Sequence, residues 1–125
     1  NFVILRYQGE TIGCPEMLTP TSSLIGYFGE NPPPLATDGR FSGGSHGILV
    51  AHLSDAYKQE GLTHLIENGD NIAINLKNHE INLDINEHEI KKRREKSIKR
   101  DPNINGYLLK YSKLCGNFSN GYLAE

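Results

Sequence analysis

The chain has 125 residues, enough for one domain with a single core and too few for two. Thirteen Lys and Arg against fifteen Asp and Glu give a formal charge of −2, so no global field draws the protein to nucleic acid or to an anionic membrane. With 37% apolar residues and no Trp the core is thin, and no apolar run approaches the roughly 18 residues of a membrane span.

The first residues, "NFVILRY", are strand-like from Phe2, with no initiator Met and no leader, and read as the start of a piece of something longer. Phe2 to Tyr7 is expected to be a buried strand because it is rich in β-branched and aromatic residues and runs up to the glycine at Gly9. "QGETIGCPEMLTP" is punctuated by Gly9, Gly13, Pro15 and Pro20 and reads as a loop. "TPTSSLIGYFG" then predicts a short helix capped by Thr21 or Ser22 and stopped by Gly29. Three prolines in "ENPPP" lack amide donors and make a rigid extended connector into "LATD".

Residues Thr37 to Gly47, "TDGRFSGGSHG", form a polar, glycine-rich loop. After it, Gly47 to Leu53 is a continuous apolar run that suits either a buried strand or a short helix. Farther on, Ile72, Ile74 and Leu76, then Ile81, Leu83 and Ile85, alternate with polar residues and predict two half-buried antiparallel strands. "NEHEIKKRREKSIKRD" predicts a helix with Asn86 as cap and Glu89 at the capping-box position, acids first and bases last as the macrodipole favours. A last helix is expected from Tyr107 to about Cys115, with Leu108, Tyr111 and Leu114 or Cys115 on one face and Gly116 as its end. The whole reads as one α+β domain over residues 1–125.

Several chemical readings can be set aside. The basic run Lys91 to Lys96 is balanced locally by Glu87, Glu89 and Glu95 and carries no interleaved aromatic residues, so it reads as a solvated helix face. The five histidines form no metal-ligand spacing. Cys14 and Cys115 sit in no CxxC pattern and are expected to be free thiols in a reducing compartment, the cytoplasm or an organelle interior.

Two segments remain. In "TDGRFSGGSHG", Gly43 and Gly44 allow close approach of the main chain to a ligand, and their amides can surround an anionic oxygen. Ser42 and Ser45 place hydroxyls beside those amides, and Arg40 either pairs with Asp38 to brace the loop or meets a substrate carboxylate. The plain reading is an ordinary surface turn. In "CPEML", Glu16 lies between Pro15 and the apolar Met17 and Leu18, a setting expected to bury its carboxylate, and buried carboxylates are normally paired or metal-bound.

The blocks "RYQGETIGCPEMLTPTSSL", "ATDGRFSGGSHG", "LIENGDNIAINLKNHEINLDINEHEIKKRRE" and "GYLLKYSKL", in this order, resemble the C-terminal part of the dihydroxy-acid dehydratase family, which includes phosphogluconate and sugar-acid dehydratases. The resemblance implies a β-barrel-like domain of the swivelling β/β/α type with flanking helices. It implies loss of water from a 2,3-dihydroxy acid to give a 2-keto acid, in branched-chain amino-acid biosynthesis. It further implies an iron–sulfur cluster as Lewis acid at the leaving hydroxyl and Mg²⁺ at the carboxylate end. By the same resemblance Ser42 is the base that takes the C2 proton and Glu16 is a Mg²⁺ ligand, and beside them the loop residues Arg40, Gly43, Gly44 and Ser45 are the candidates to hold the substrate. The cluster and the other Mg²⁺ ligands are expected in a large N-terminal domain absent from this sequence, so these residues alone are expected to be inactive and the complete protein to be a homodimer. The sequence departs from the family in its shortened loop before "PEM", in "NPPPLA" where an aliphatic strand is usual, and in Cys14 and Cys115 where Met and an aliphatic residue are usual. A carboxylate-binding or regulatory module without catalysis, or a dimerisation domain, is the reading from another class.

Overall fold

The computed structural model describes residues 1–124. Val3–Leu5 forms β1 inside the stretch expected to be a strand, and a 3₁₀ turn at Glu10–Ile12 follows, closed by Gly13 at φ 88°. α1 spans Leu18–Phe28 and so begins before the expected caps. Pro20 explains the early start: in the first turn its missing N–H is one the helix could not have used. The next residue, Thr21, is the first to donate an amide, to the Met17 carbonyl at 3.1 Å, and its hydroxyl bonds the same oxygen. Gly29 ends the helix as expected, at φ 67° and with its N–H on the Ile25 carbonyl.

β2 (Leu35–Thr37) lies between β1 and β3 (Leu49–Val50) and is parallel to both, with Val3 opposite Leu35, Leu5 opposite Thr37 and Leu35 opposite Leu49. The apolar run after the glycine-rich loop therefore resolves as a strand, two residues long. All of β2 is buried. It starts directly after the prolines: the Pro34 carbonyl accepts from Val3 N–H at 2.8 Å, and Leu35, the first residue able to donate, bonds the Ile48 carbonyl at 3.0 Å.

The alternating pattern forms the expected hairpin, β4 (Ile72–Asn75) against β5 (Glu80–Leu83), with Ile74 opposite Ile81. α2 (Glu87–Lys96) begins at Asn86, whose side chain accepts from Glu89 N–H at 2.8 Å, as the capping pattern requires. α3 (Gly106–Leu114) turns Leu108, Tyr111 and Cys115 inward and leaves Leu114 exposed.

The architecture is mixed, as the α+β reading expects, but among the described residues the strands make two separate sheets and no closed barrel. Closure needs pairing that continues around the sheet, whereas β1 keeps a free edge and the strands are only two to four residues long. Buried apolar residues (Met17, Leu35, Ala36, Ala56, Leu65) alternate in space with buried polar ones (Glu10, Thr37, Asp38, Asp55, Thr63), so hydrogen bonds share the work of the core with apolar contact. No helix among the described residues is long and apolar enough to cross a membrane.

Candidate functional site

The two segments singled out in the sequence run side by side at the carboxyl ends of β1 and β2. Glu16 and Arg40 form an isolated parallel bridge: Met17 N–H donates to the Arg40 carbonyl at 2.8 Å and Arg40 N–H to the Pro15 carbonyl at 3.2 Å. Open parallel sheets characteristically bind ligands outside the carboxyl ends of their strands. Gly39 makes the approach possible, because a Cβ there would lie 2.9 Å from the Pro15 carbonyl oxygen and 3.1 Å from Gln8.

Asp38 holds this junction together. Its side chain is buried and accepts from Tyr7 N–H at 3.0 Å, Gln8 N–H at 2.8 Å and Ala56 N–H at 2.9 Å, which ties the ends of β1 and β2 to the segment after β3. Burial pushes its carboxyl above the ordinary range against the pull of these amides. Of the two roles open to Arg40, the brace to Asp38 does not form: the carboxylate is buried and committed to three amides, and Arg40 is exposed. Beside it, Thr37 accepts from Gly39 N–H at 2.9 Å, and Asp55 accepts from Thr11 and Tyr57.

His52 closes the back of the junction, with its main-chain N–H donating to the Gly39 carbonyl at 3.0 Å. Its ring stacks on Phe118 at 4.0 Å, and Nδ1 lies 2.9 Å from the Tyr122 hydroxyl. Burial holds this imidazole below its ordinary value, favouring its neutral form. Tyr7, Cys14 and His52 all adopt left-handed backbone, at φ 66°, 50° and 57°, so the chain turns sharply at three points around Asp38.

Glu16 itself is exposed, which corrects the expectation that its apolar neighbours bury it. Met17 and Cys14 turn inward, and the bridge to Arg40 leaves the side chain between them pointing to solvent. The carboxylate forms no ion pair among the described residues. As a free hard-oxygen donor it fits one position on Mg²⁺. Among the described residues no three His, Cys, Asp or Glu side chains gather to complete a metal site.

From Arg40 the chain enters a turn in which Ser45 N–H bonds the Ser42 carbonyl at 3.2 Å. Ser42 is half-buried, and Gly43 and Gly44 are exposed with open space where a Cβ would stand. No packing demand explains these glycines. The Ser45 hydroxyl oxygen is buried and without a partner, so the turn holds a polar group ready for a donor or acceptor that the chain does not supply.

An iron–sulfur cluster needs several free thiolates, and the residues present do not fit one. Cys14 and Cys115 are unbridged and buried; the first lies 3.5 Å from the Tyr122 hydroxyl, the second 3.0 Å from that of Tyr111. Burial pushes the Cys14 thiol up, and the hydrogen bond between Cys115 and the Tyr111 hydroxyl first, then burial, pushes Tyr111 up to about 12.

Sequence reading found Glu16, Arg40 and the turn but missed Asp38 as an anchor, Gly39 and His52. The "TDG" of the loop was the available signal, since an Asp before a glycine commonly accepts main-chain amides. Nothing local marks His52.

Residues 1–122 match the family model described as dihydroxy-acid/6-phosphogluconate dehydratase C-terminal. The chain is 41% identical to the mitochondrial dihydroxy-acid dehydratase of Saccharomyces cerevisiae, over 98% of the chain and 22% of that protein. It is 40% identical to the dihydroxy-acid dehydratase of Pyrococcus furiosus (97% and 22%) and 42% identical to that of Methanococcus maripaludis (97% and 22%). It thus spans about a fifth of the length of these curated relatives.

Proposed function

The chain belongs to the dihydroxy-acid/6-phosphogluconate dehydratase family, whose C-terminal part it matches, and from that premise we propose that it forms part of a hydro-lyase converting a 2,3-dihydroxy carboxylic acid to a 2-keto acid in branched-chain amino-acid biosynthesis. The observation that carries the proposal is the parallel bridge of Glu16 and Arg40, which brings the candidate metal ligand and the serine turn to one edge of the sheet.

In this reading the substrate carboxylate sits against Arg40 and the amides of Gly43 and Gly44, with the Ser45 hydroxyl as a further contact. Ser42 Oγ, as the alkoxide, takes the proton from C2 and passes it to the departing C3 hydroxyl, which leaves as water, and the resulting enol takes a proton at C3 and gives up the proton on its C2 oxygen to become the 2-keto acid. No electrons are gained or lost. A serine hydroxyl becomes basic only where positive charge and donors stabilise its alkoxide. Arg40 and the turn amides supply part of that, and a Mg²⁺ held in part by Glu16 would add charge at the carboxylate end. The iron–sulfur cluster and the remaining Mg²⁺ ligands belong, in this proposal, to an N-terminal domain of the complete protein. The barrel-like arrangement also belongs to the complete protein, with the free edge of β1 as the place where its sheet would continue. A homodimer working in the cytoplasm or an organelle interior completes the reading.

The test is the Mg²⁺ dependence of dihydroxy-acid dehydration by the complete protein. Glu16→Gln is expected to raise the Mg²⁺ needed for half-maximal rate at least tenfold; an unchanged requirement removes Glu16 from the site. Turnover by residues 1–125 alone would overturn the division of the site between two domains. Binding of a 2-keto acid by the complete protein without turnover of any dihydroxy acid would favour a carboxylate-binding module instead.

A further inference from the structure

The basic run of α2, which the proposed reaction does not use, lines an open cavity of ≈ 600 Å³ between α2 and the residues that follow β1. None of Glu16, Arg40 or Ser42 to Ser45 borders it. Along its wall the cations divide into two groups. Arg93 is fully engaged: its guanidinium bonds Asp70 at 2.6 and 2.9 Å, Glu89 at 3.0 Å and the Leu65 carbonyl at 3.0 Å. Lys92 shares Glu89 at 3.1 Å. These contacts commit Glu89, and Glu67 stands 3.7 Å from Arg93, so both carboxylates on the cavity wall are already turned to α2.

Three cations on the same wall have no carboxylate partner among the described residues: Arg6, Lys96 and Arg100. Two of them are held in place. Arg6 donates to the Thr63 and His64 carbonyls at 3.3 and 3.0 Å, which orients the guanidinium without neutralising it. Arg100 lies over the Tyr7 ring at 4.4 Å, and Tyr7 is wedged edge-on against Tyr57 at 4.9 Å. His64, also on the wall, has a buried Nδ1 without a partner. Like charges gathered at a shared cavity repel one another, and guanidinium groups fixed by neutral partners keep their capacity for an anion.

We propose that this cavity is a binding site for a small polyphosphate-class anion, held by Arg6, Lys96 and Arg100 and separate from the serine turn. Three cations spread along an open wall, two of them held in place, match an anion whose charge is spread over linked phosphoryl groups better than a single carboxylate. Phosphate oxygens also accept the forked donors of Arg6 and Arg100.

Inorganic pyrophosphate titrated into the full chain at 150 mM salt tests the proposal, read by calorimetry and by NMR of the His64 ring. The expected result is one saturable site with a Kd below about 1 mM and a shift of the His64 ring resonances. The Lys96→Ala/Arg100→Ala variant is expected to bind at least tenfold more weakly with its fold intact by circular dichroism, since Lys96 and Arg100 are exposed. Arg40→Ala should bind pyrophosphate as the parent does. Non-saturating shifts scattered over all surface cations, unchanged binding by the double variant, or binding of an RNA oligonucleotide with none of pyrophosphate would each overturn it.

Discussion

Thr37, Asp38 and Gly39 lie a few residues from Ser42, Gly43 and Gly44, yet the two stretches are built on opposite principles. The first is buried and rich in hydrogen bonds; the second is open, with one main-chain bond across its turn and the unpartnered Ser45 hydroxyl buried beside it. The difference separates placement from reactivity. Asp38 and Gly39 fix where the turn starts, and the turn keeps its polar groups uncommitted, as a site that must receive a ligand requires.

The largest expected effect lies on the open side and concerns rate alone. In the complete protein, Ser42→Ala should lower the dehydration rate about 10³-fold, with the urea midpoint unmoved; retained activity would end the assignment of Ser42 as base. On the buried side the effect should be on stability. Asp38→Ala strands three main-chain donors and should cost about 3 kcal/mol or more in urea unfolding, and a loss under about 1 kcal/mol would show that Asp38 is not the anchor described. Gly39→Ala is expected to be smaller, about 2 kcal/mol, because the Pro15 carbonyl must move to admit the methyl group. Gly44→Ala, a few residues on, should stay within about 0.5 kcal/mol, since nothing stands near its Cβ position.

The smallest effects are in pH dependence, where two aspartates should act with opposite sign. Burial raises Asp38 above its ordinary value of 3.8, so in the window from 3.8 up to that raised value the folded state holds a proton the unfolded chain has released. Stability there falls as pH rises, and Asp38→Asn should remove that slope. Asp70, bonded to Arg93, is lowered from 3.8; its contribution is complete above 3.8 and is lost as pH falls through the depressed folded value. Asp70→Asn should remove the acid-side loss. Urea midpoints measured from pH 2 to pH 7 on both variants would read the two signs.

The sequence showed best what depends on neighbours along the chain. The hairpin of Ile72 and Ile81 and the Asn86 cap follow from alternation and capping chemistry, which act over a few residues. α1 was found but placed late, because Pro20 reads as a breaker until it is recognised as a first-turn residue. The parallel order of β1, β2 and β3 was not legible, since a short apolar run carries no sign of its partners' direction. In the candidate site, residue types pointed to Glu16 and the serine turn. Their side-by-side course rests on Asp38 reaching amides 31, 30 and 18 residues away, which no local pattern records. The exposure of Glu16 was misread for the same reason: its neighbours along the chain are apolar, but its neighbour in space is the strand-like bridge to Arg40.

The three prolines before β2 also bear on how the chain avoids a wrong fold. If β2 slipped by one residue, Pro34 would stand where Leu35 now donates to Ile48, and the ladder to β3 would lose the bond that opens it. A strand so short has little pairing energy with which to reject its mistakes, and a residue unable to donate rejects this one before any side chain has packed.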